Sequence, residues 1–212
     1  MIQFTPEGVD ITATPERLGE ASDAFERQKF LPLPGLLSPE LADGVRSGIE
    51  RDGFETPDQT AADKDTVYRG AYQGGKVGWD LRPGETAAVI ADRTNDATLL
   101  RFVEQVTGSP PLERCIGRVF CLHPMDEDLP WHTDAEGGRL ADLIIDLSAV
   151  KHQGGRFEMR HTATQEIFNR IDSMEFGDGL LIRISPDIEH HYKAITGSVP
   201  KVTFSGWFVP RQ

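Results

Sequence analysis

Gly179-Leu-Leu-Ile-Arg-Ile184, Ser185-Pro-Asp187, Ile188-Glu-His-His-Tyr192, Lys193-Ala-Ile-Thr-Gly-Ser-Val-Pro200 and Lys201-Val-Thr-Phe-Ser-Gly-Trp-Phe208 follow one another without a break. Runs rich in β-branched and aromatic residues at 179–184, 188–196 and 201–209 are separated by clusters of turn formers, the signature of short strands. The same texture extends back to about Pro111, with β-prone runs at 115–122, 141–149, 155–160 and 166–171. Strands at this spacing, with no helical pattern between them, predict a sandwich or barrel rather than βαβ units.

Upstream the punctuation is helical. Ser38-Pro39-Glu40 offers an N-cap, a proline at the first helical position and an acid in the first turn. Leu41, Val45 and Ile49 follow on one helical face, and Gly53 supplies a stop. Thr14-Pro15-Glu16 starts a helix running to about Lys29, and Asn95 reads as the N-cap of a third, closed by Gly108. Residues 55–85 lack periodicity and read as long loops. The expected fold class is mainly β with flanking helices: one domain over 1–212, with helical support and substrate loops in 1–110 and the strand-rich core in 111–212.

With 38% apolar and 26% charged residues, the 212-residue chain has material for a full core. A formal charge of −12 disfavours nucleic acid and anionic membrane surfaces as partners. No stretch approaches the roughly 20 apolar residues of a membrane span, and the N-terminus lacks a signal-peptide pattern. Cys115 and Cys121, on one expected strand, lie about 20 Å apart and cannot bridge. A soluble cytoplasmic protein with free thiols is expected. The sequence leaves the oligomeric state open.

Chemistry enters at Pro130-Trp-His-Thr-Asp134. On an extended strand His132 and Asp134 project to one face, as two neighbouring ligands of one metal ion would. One more histidine would complete the two-histidine, one-carboxylate set that leaves three coordination positions open on non-haem Fe(II). His152 and His161 look like solvated positions near strand ends. His190 and His191 follow a strand, and neighbours on a strand face opposite sides, so only one of them can join the set.

In chain order, His132-Thr-Asp134, Gly154-Gly155-Arg-Phe157, Gly177-Asp178-Gly-Leu-Leu181, His190/His191, Lys201 and Gly206-Trp207-Phe208 resemble the catalytic core of the Fe(II)/2-oxoglutarate-dependent dioxygenase superfamily, of the prolyl-hydroxylase-like kind. Leu33-Pro-Gly-Leu-Leu-Ser-Pro-Glu40 resembles the helical lead-in of these proteins. The resemblance implies a double-stranded β-helix (jelly-roll) core. It implies Fe(II) held by His132, Asp134 and a distal histidine, with 2-oxoglutarate and O₂ as co-substrates. The hydrophobic register His190-x-Tyr192-x-x-Ile195 favours His190 as that ligand, whereas the usual family spacing to the basic residue points to His191. Lys201 would hold the distal carboxylate of 2-oxoglutarate, helped by the hydroxyl of Thr203; lysine keeps the charge but not the bidentate fork of the arginine common there.

The implied reaction is hydroxylation of an unactivated C–H of a small molecule, amino acid or peptidyl residue, with release of succinate and CO₂. Its rivals are a cupin-like metal-dependent isomerase or hydrolase and a non-catalytic jelly-roll sensor domain. Substrate contacts are expected from the 55–85 loops, where Tyr68, Arg69, Tyr72, Lys76 and Trp79 lie. The acidic run Asp126-Glu127-Asp128 disfavours a strongly anionic substrate. Trp131 reads first as packing, and Arg118 and Arg183 as partners of nearby acids.

Overall fold

The strand-forming runs pair into two facing sheets, and the helices cover the outer side of the larger one. The computed structural model describes residues 1–55, 79–124 and 128–211. The first half runs β1 (Ile2–Phe4), β2 (Val9–Ile11), α1 (Pro15–Gln28), β3 (Phe30–Leu33), α2 (Pro39–Asp52), β4 (Phe54–Glu55), β5 (Trp79–Leu81), α3 (Glu85–Thr94) and α4 (Ala97–Thr107). The second half runs β6 (Leu112–Leu122), β7 (Ala141–Asp146), β8 (Gln153–Gly154), β9 (Phe157–His161), β10 (Ile167–Ile171), β11 (Gly179–Arg183), β12 (Ile188–Tyr192), β13 (Ile195–Thr196) and β14 (Lys201–Pro210).

The larger sheet has the order β3-β11-β7-β14-β6-β5-β4, and the smaller β10-β9-β12, with β13-β8 beside it. Pairing is antiparallel throughout both. Because side chains alternate across a strand, each strand of the large sheet feeds two cores. Leu143, Ile145, Phe204 and Phe208 face outward and pack with Phe25, Leu99 and Phe102 of the helices. Leu122, Ile144, Leu180 and Ile182 face inward and meet Phe157, Met159, Ile188 and Tyr192 of the small sheet. Every residue of β7 is buried, as a strand covered on both faces must be. The result is a jelly roll with helices against one wall.

Local signals held well at the helix ends. Thr14 and Ser38 cap α1 and α2, and Gly53 takes φ 66 at the end of α2. Elsewhere tertiary contacts overrode them. Asn95 is not an N-cap: it ends α3, a helix the sequence reading missed, and its side chain bonds both the N–H and the carbonyl of Cys115. Asp96 caps α4 instead, accepting from Thr98 N at 2.6 Å. The helical front also donates β3, which pairs with β11 at the sheet edge. The run 188–196 breaks into β12 and β13 where Gly154 and Gly155, at φ +74 and +69, bring their loop against Ala194. A Cβ on Gly154 would lie 2.2 Å from the Ala194 carbonyl oxygen, so only glycine fits.

Candidate metal centre

Residues 129–132 run antiparallel beside β12. Leu129 N–H donates to Tyr192 O at 2.9 Å, His132 N–H to His190 O at 3.2 Å, and His190 N–H to His132 O at 2.9 Å. His132 and His190 are therefore direct cross-strand partners, and their ring centroids lie 4.4 Å apart. Two residues on, Asp134 joins them. One donor atom from each of His132, Asp134 and His190 falls within 4.8 Å of the others, and His190 Nε2 is 3.3 Å from Asp134 Oδ2. His132 Nδ1 is 2.9 Å from the Pro130 carbonyl. With the proton on Nδ1, Nε2 offers its lone pair to an ion.

Both oxygens of Asp134 are held by groups outside the cluster. Trp207 Nε1 donates to Oδ2 at 2.9 Å, and buried Arg139 donates to Oδ1 at 3.3 Å while its guanidinium lies over the Trp207 ring. Burial pushes the Asp134 pKa up, but the His190 bond and charge, His132 and the Trp207 bond outweigh it, and the carboxyl ends well below its usual range. His132 keeps an open edge, yet the protein atoms packed round its ring, and then His190, lower its pKa. An ionised carboxylate and a neutral imidazole are the forms a divalent cation binds.

His191 faces the other way, as strand alternation requires. Its Nε2 lies 3.1 Å from Glu158 Oε2 and its Nδ1 3.1 Å from Leu129 O. Its ring stacks on Trp131 with centroids 3.7 Å apart, and Arg160 covers Trp131 from a further side. Both ring nitrogens of His191 are thus engaged away from the cluster, and His190 is the histidine beside Asp134.

Lys201 and Thr203 share the inward face of β14 with Ser205 and Trp207. Lys201 is 4% exposed. Its Nζ reaches Gly155 O at 3.4 Å and sits 4.3 Å from the Tyr192 ring centroid. It also lines a small cavity with Ile144, Leu180, Phe157 and Tyr192. Burial lowers its pKa to about 8, with Asp146 pulling the other way. Thr203 Oγ1 donates within its own sheet, to Ile145 O at 3.1 Å, and interacts with the Tyr192 phenol.

The remaining candidates sort by environment. His152 is buried, not solvated, and packs against Gly155; His161 is exposed. Arg118 pairs with Asp80, and Arg183 with Glu26 on the helical side. Tyr68, Arg69, Tyr72, Lys76 and the side chain of Trp79 lie outside the described residues, as do Asp126 and Glu127. Asp128 accepts from Ala194 N at 2.9 Å and from Lys193 Nζ at 2.8 Å.

Sequence reasoning missed Arg139, Asp142 and Asp146. Asp142 accepts from Ser205 Oγ at 3.0 Å and Gly206 N at 2.9 Å, and burial, then the Asp134 charge, raise its pKa to about 7. The available signal was Asp142-Leu-Ile-Ile-Asp146, two acids spaced to share one face of an otherwise apolar strand.

No protein-family model and no curated protein matches the chain in sequence. Solved structures match it in fold. An oxidoreductase of the 2OG-Fe(II) oxygenase family from Burkholderia pseudomallei is 13% identical, with TM-score 0.61 over 100% of this chain and 97% of that one. A Pseudomonas putida prolyl-4-hydroxylase is 14% identical, with TM-score 0.61 over 92% of this chain and 100% of its own. A Trichoplax adhaerens prolyl hydroxylase, solved with a hypoxia inducible factor peptide fragment, is 13% identical, with TM-score 0.61 over 93% and 94%. At these identities the shared property is the fold, and the fold is that of the prolyl-hydroxylase-like 2-oxoglutarate oxygenases.

Proposed function

We propose that this chain is an Fe(II)- and 2-oxoglutarate-dependent dioxygenase that hydroxylates an unactivated C–H of a small molecule, amino acid or peptidyl residue. The carrying observation is the cluster of His132, Asp134 and His190, whose donor atoms lie within 4.8 Å of one another, beside Phe157, which also lines the small cavity at the buried ammonium group of Lys201. Two imidazoles and one carboxylate suit Fe(II) and leave room for a chelating co-substrate and O₂. Held by His132, Asp134 and His190, Fe(II) with 2-oxoglutarate would supply the oxidising power, dividing O₂ between succinate and the hydroxylated product with release of CO₂.

The chain's own groups do the holding. Asp134 stays ionised, with Trp207 and Arg139 fixing the plane of its carboxylate, and the Pro130 carbonyl keeps the His132 proton on Nδ1. Lys201, whose only hydrogen bond among the described residues is a long one to Gly155 O, is an under-satisfied buried cation suited to a carboxylate. Thr203 stands two residues on along the same face. The apolar walls, Ile144, Leu180 and Phe157, line the cavity at Lys201 and keep water from the anchored end of the co-substrate. Among the described residues no helix is long and apolar enough to cross a membrane, and with a net charge of −12 a small-molecule or peptidyl substrate fits better than nucleic acid.

The test is succinate formation by purified protein supplied with Fe(II), 2-oxoglutarate, O₂ and panels of amino acids, peptides and metabolites. Turnover above that of His132→Ala is expected with at least one panel. Equal succinate from the two proteins across all panels would sink the proposal.

A further inference from the structure

The inward face around Lys201 carries more than a cation. Asp146 is the direct cross-strand partner of Thr203, so its side chain shares the inward face with Lys201. It is 1% exposed. Oδ1 accepts from Ser148 N at 2.8 Å, whereas buried Oδ2 has no hydrogen-bond partner among the described residues, Lys201 included. His152 Nδ1, from the β7–β8 loop, is buried and unpartnered as well. The charged and titratable groups around Asp146 are Lys201 from β14, His152 from that loop, Tyr192 from β12 and Asp142 on its own strand.

A ligand group docked on Lys201 therefore meets a donor and an unpaired acceptor together. A bare carboxylate satisfies Lys201 but turns only lone pairs toward Asp146 Oδ2, setting two anions side by side in a desolvated space. A carboxyl that carries one proton satisfies both, its hydrogen shared with Asp146, and so does a carboxamide, with its oxygen on Lys201 and its N–H on Asp146.

We propose that Asp146 determines co-substrate specificity by requiring a hydrogen from the distal group held at Lys201. A 2-oxo acid with a distal carboxylate then enters together with one proton from solvent, and one with a distal carboxamide enters without it. This rests on the reading of Lys201 as the co-substrate anchor. The protonation balances simply: the dianionic acid, ionised Asp146 and one solvent proton give a carboxyl–carboxylate pair, and no covalent bond to carbon changes. Burial raises the Asp146 pKa, with Lys201 opposing.

Titration calorimetry of the Mn(II)-loaded full chain at pH 7, in two buffers of different ionisation enthalpy, counts the protons. With its pKa at about 8, Lys201 is already about nine-tenths charged at pH 7 and contributes only about 0.1 proton. Uptake of about one proton per 2-oxoglutarate is expected in the wild type, falling to about 0.1 in Asp146→Asn. N-oxalylglycine and N-oxalylglycinamide, which differ only at the distal group, form the second arm. The wild type should bind the amide at least as tightly as the acid, and Asp146→Asn should shift the ratio toward the acid about tenfold or more.

Binding of 2-oxoglutarate with less than about 0.3 proton taken up by the wild type, or an acid-to-amide ratio unchanged by Asp146→Asn, overturns the inference and leaves the anchor reading standing. Failure of every one of these ligands to bind overturns both. If Asp146→Asn does not fold, the wild-type proton count and its acid-to-amide ratio decide.

Discussion

Asp142 gives the sharpest quantitative test of the electrostatics on the inward face of the sheet. Its carboxyl is 1% exposed, and its pKa stands at about 7 in the folded protein against 3.8 for an ordinary aspartate. Between those pH values the folded chain keeps a proton that the unfolded chain has released, so stability falls as pH rises through the window. At about 1.4 kcal/mol per pH unit, the loss between pH 5 and pH 7 is about 3 kcal/mol, and it is complete above pH 7. Asparagine is nearly isosteric and keeps the local bonds: its oxygen can accept from Gly206 N and its amide can donate to Ser205 Oγ. Asp142→Asn should therefore gain on the wild type by about 3 kcal/mol between pH 5 and pH 8, or roughly 6–12 °C in melting temperature for a chain this size. Differential scanning calorimetry of both metal-free proteins across that range reads the gap directly, because the titration of other groups cancels in the difference. Melting curves that stay parallel from pH 5 to pH 8, or a variant less stable than wild type at pH 8, would refute the reasoning.

Three further outcomes are expected. 2-Oxoglutarate affinity measured by calorimetry should fall about tenfold per pH unit around pH 7, because binding takes up one proton, and about a hundredfold per unit above pH 8, where Lys201 has also lost its proton; a slope that does not steepen past pH 8 would remove Lys201 from the anchor role. His190→Ala should abolish stoichiometric Co(II) or Mn(II) binding, measured by metal analysis after dialysis, while His191→Ala weakens it and leaves the donor set in place; the reverse order would mean that the ligand is His191. Trp207→Phe keeps the ring under Arg139 but removes the donor to Asp134 Oδ2, so metal affinity should drop about 10–100-fold with little loss of stability, as competition with a chelator would report.

How much was legible depended on how local the signal was. The spacing His132-x-Asp134 is a property of one extended segment, and any strand carrying it presents both groups to one side. Thr14 and Ser38 cap helices through bonds to residues three positions on, so their role was readable as well. Asn95 shows the limit: its side chain bonds Cys115 across the fold, and no local pattern announces a partner that far along the chain. The covering loops expected in 55–85 are only partly described, since residues 56–78 lie outside the structure's description.

The sequence by itself determined that the second half would be strands, that the first would bring helices, and that an imidazole and a carboxylate would point together at 132 and 134. It could not choose between His190 and His191. Strand alternation puts adjacent residues on opposite faces, but which face is inside depends on register against other strands. Only the tertiary structure puts His190, not His191, beside His132 and Asp134, by pairing His132 backbone to backbone with His190 and turning His191 to Glu158. The same cross-strand register put Asp146 opposite Thr203 and brought Arg139 onto Asp134. Periodicity is written in neighbouring residues, whereas the inside of a barrel is defined by pairings between residues far apart in the chain.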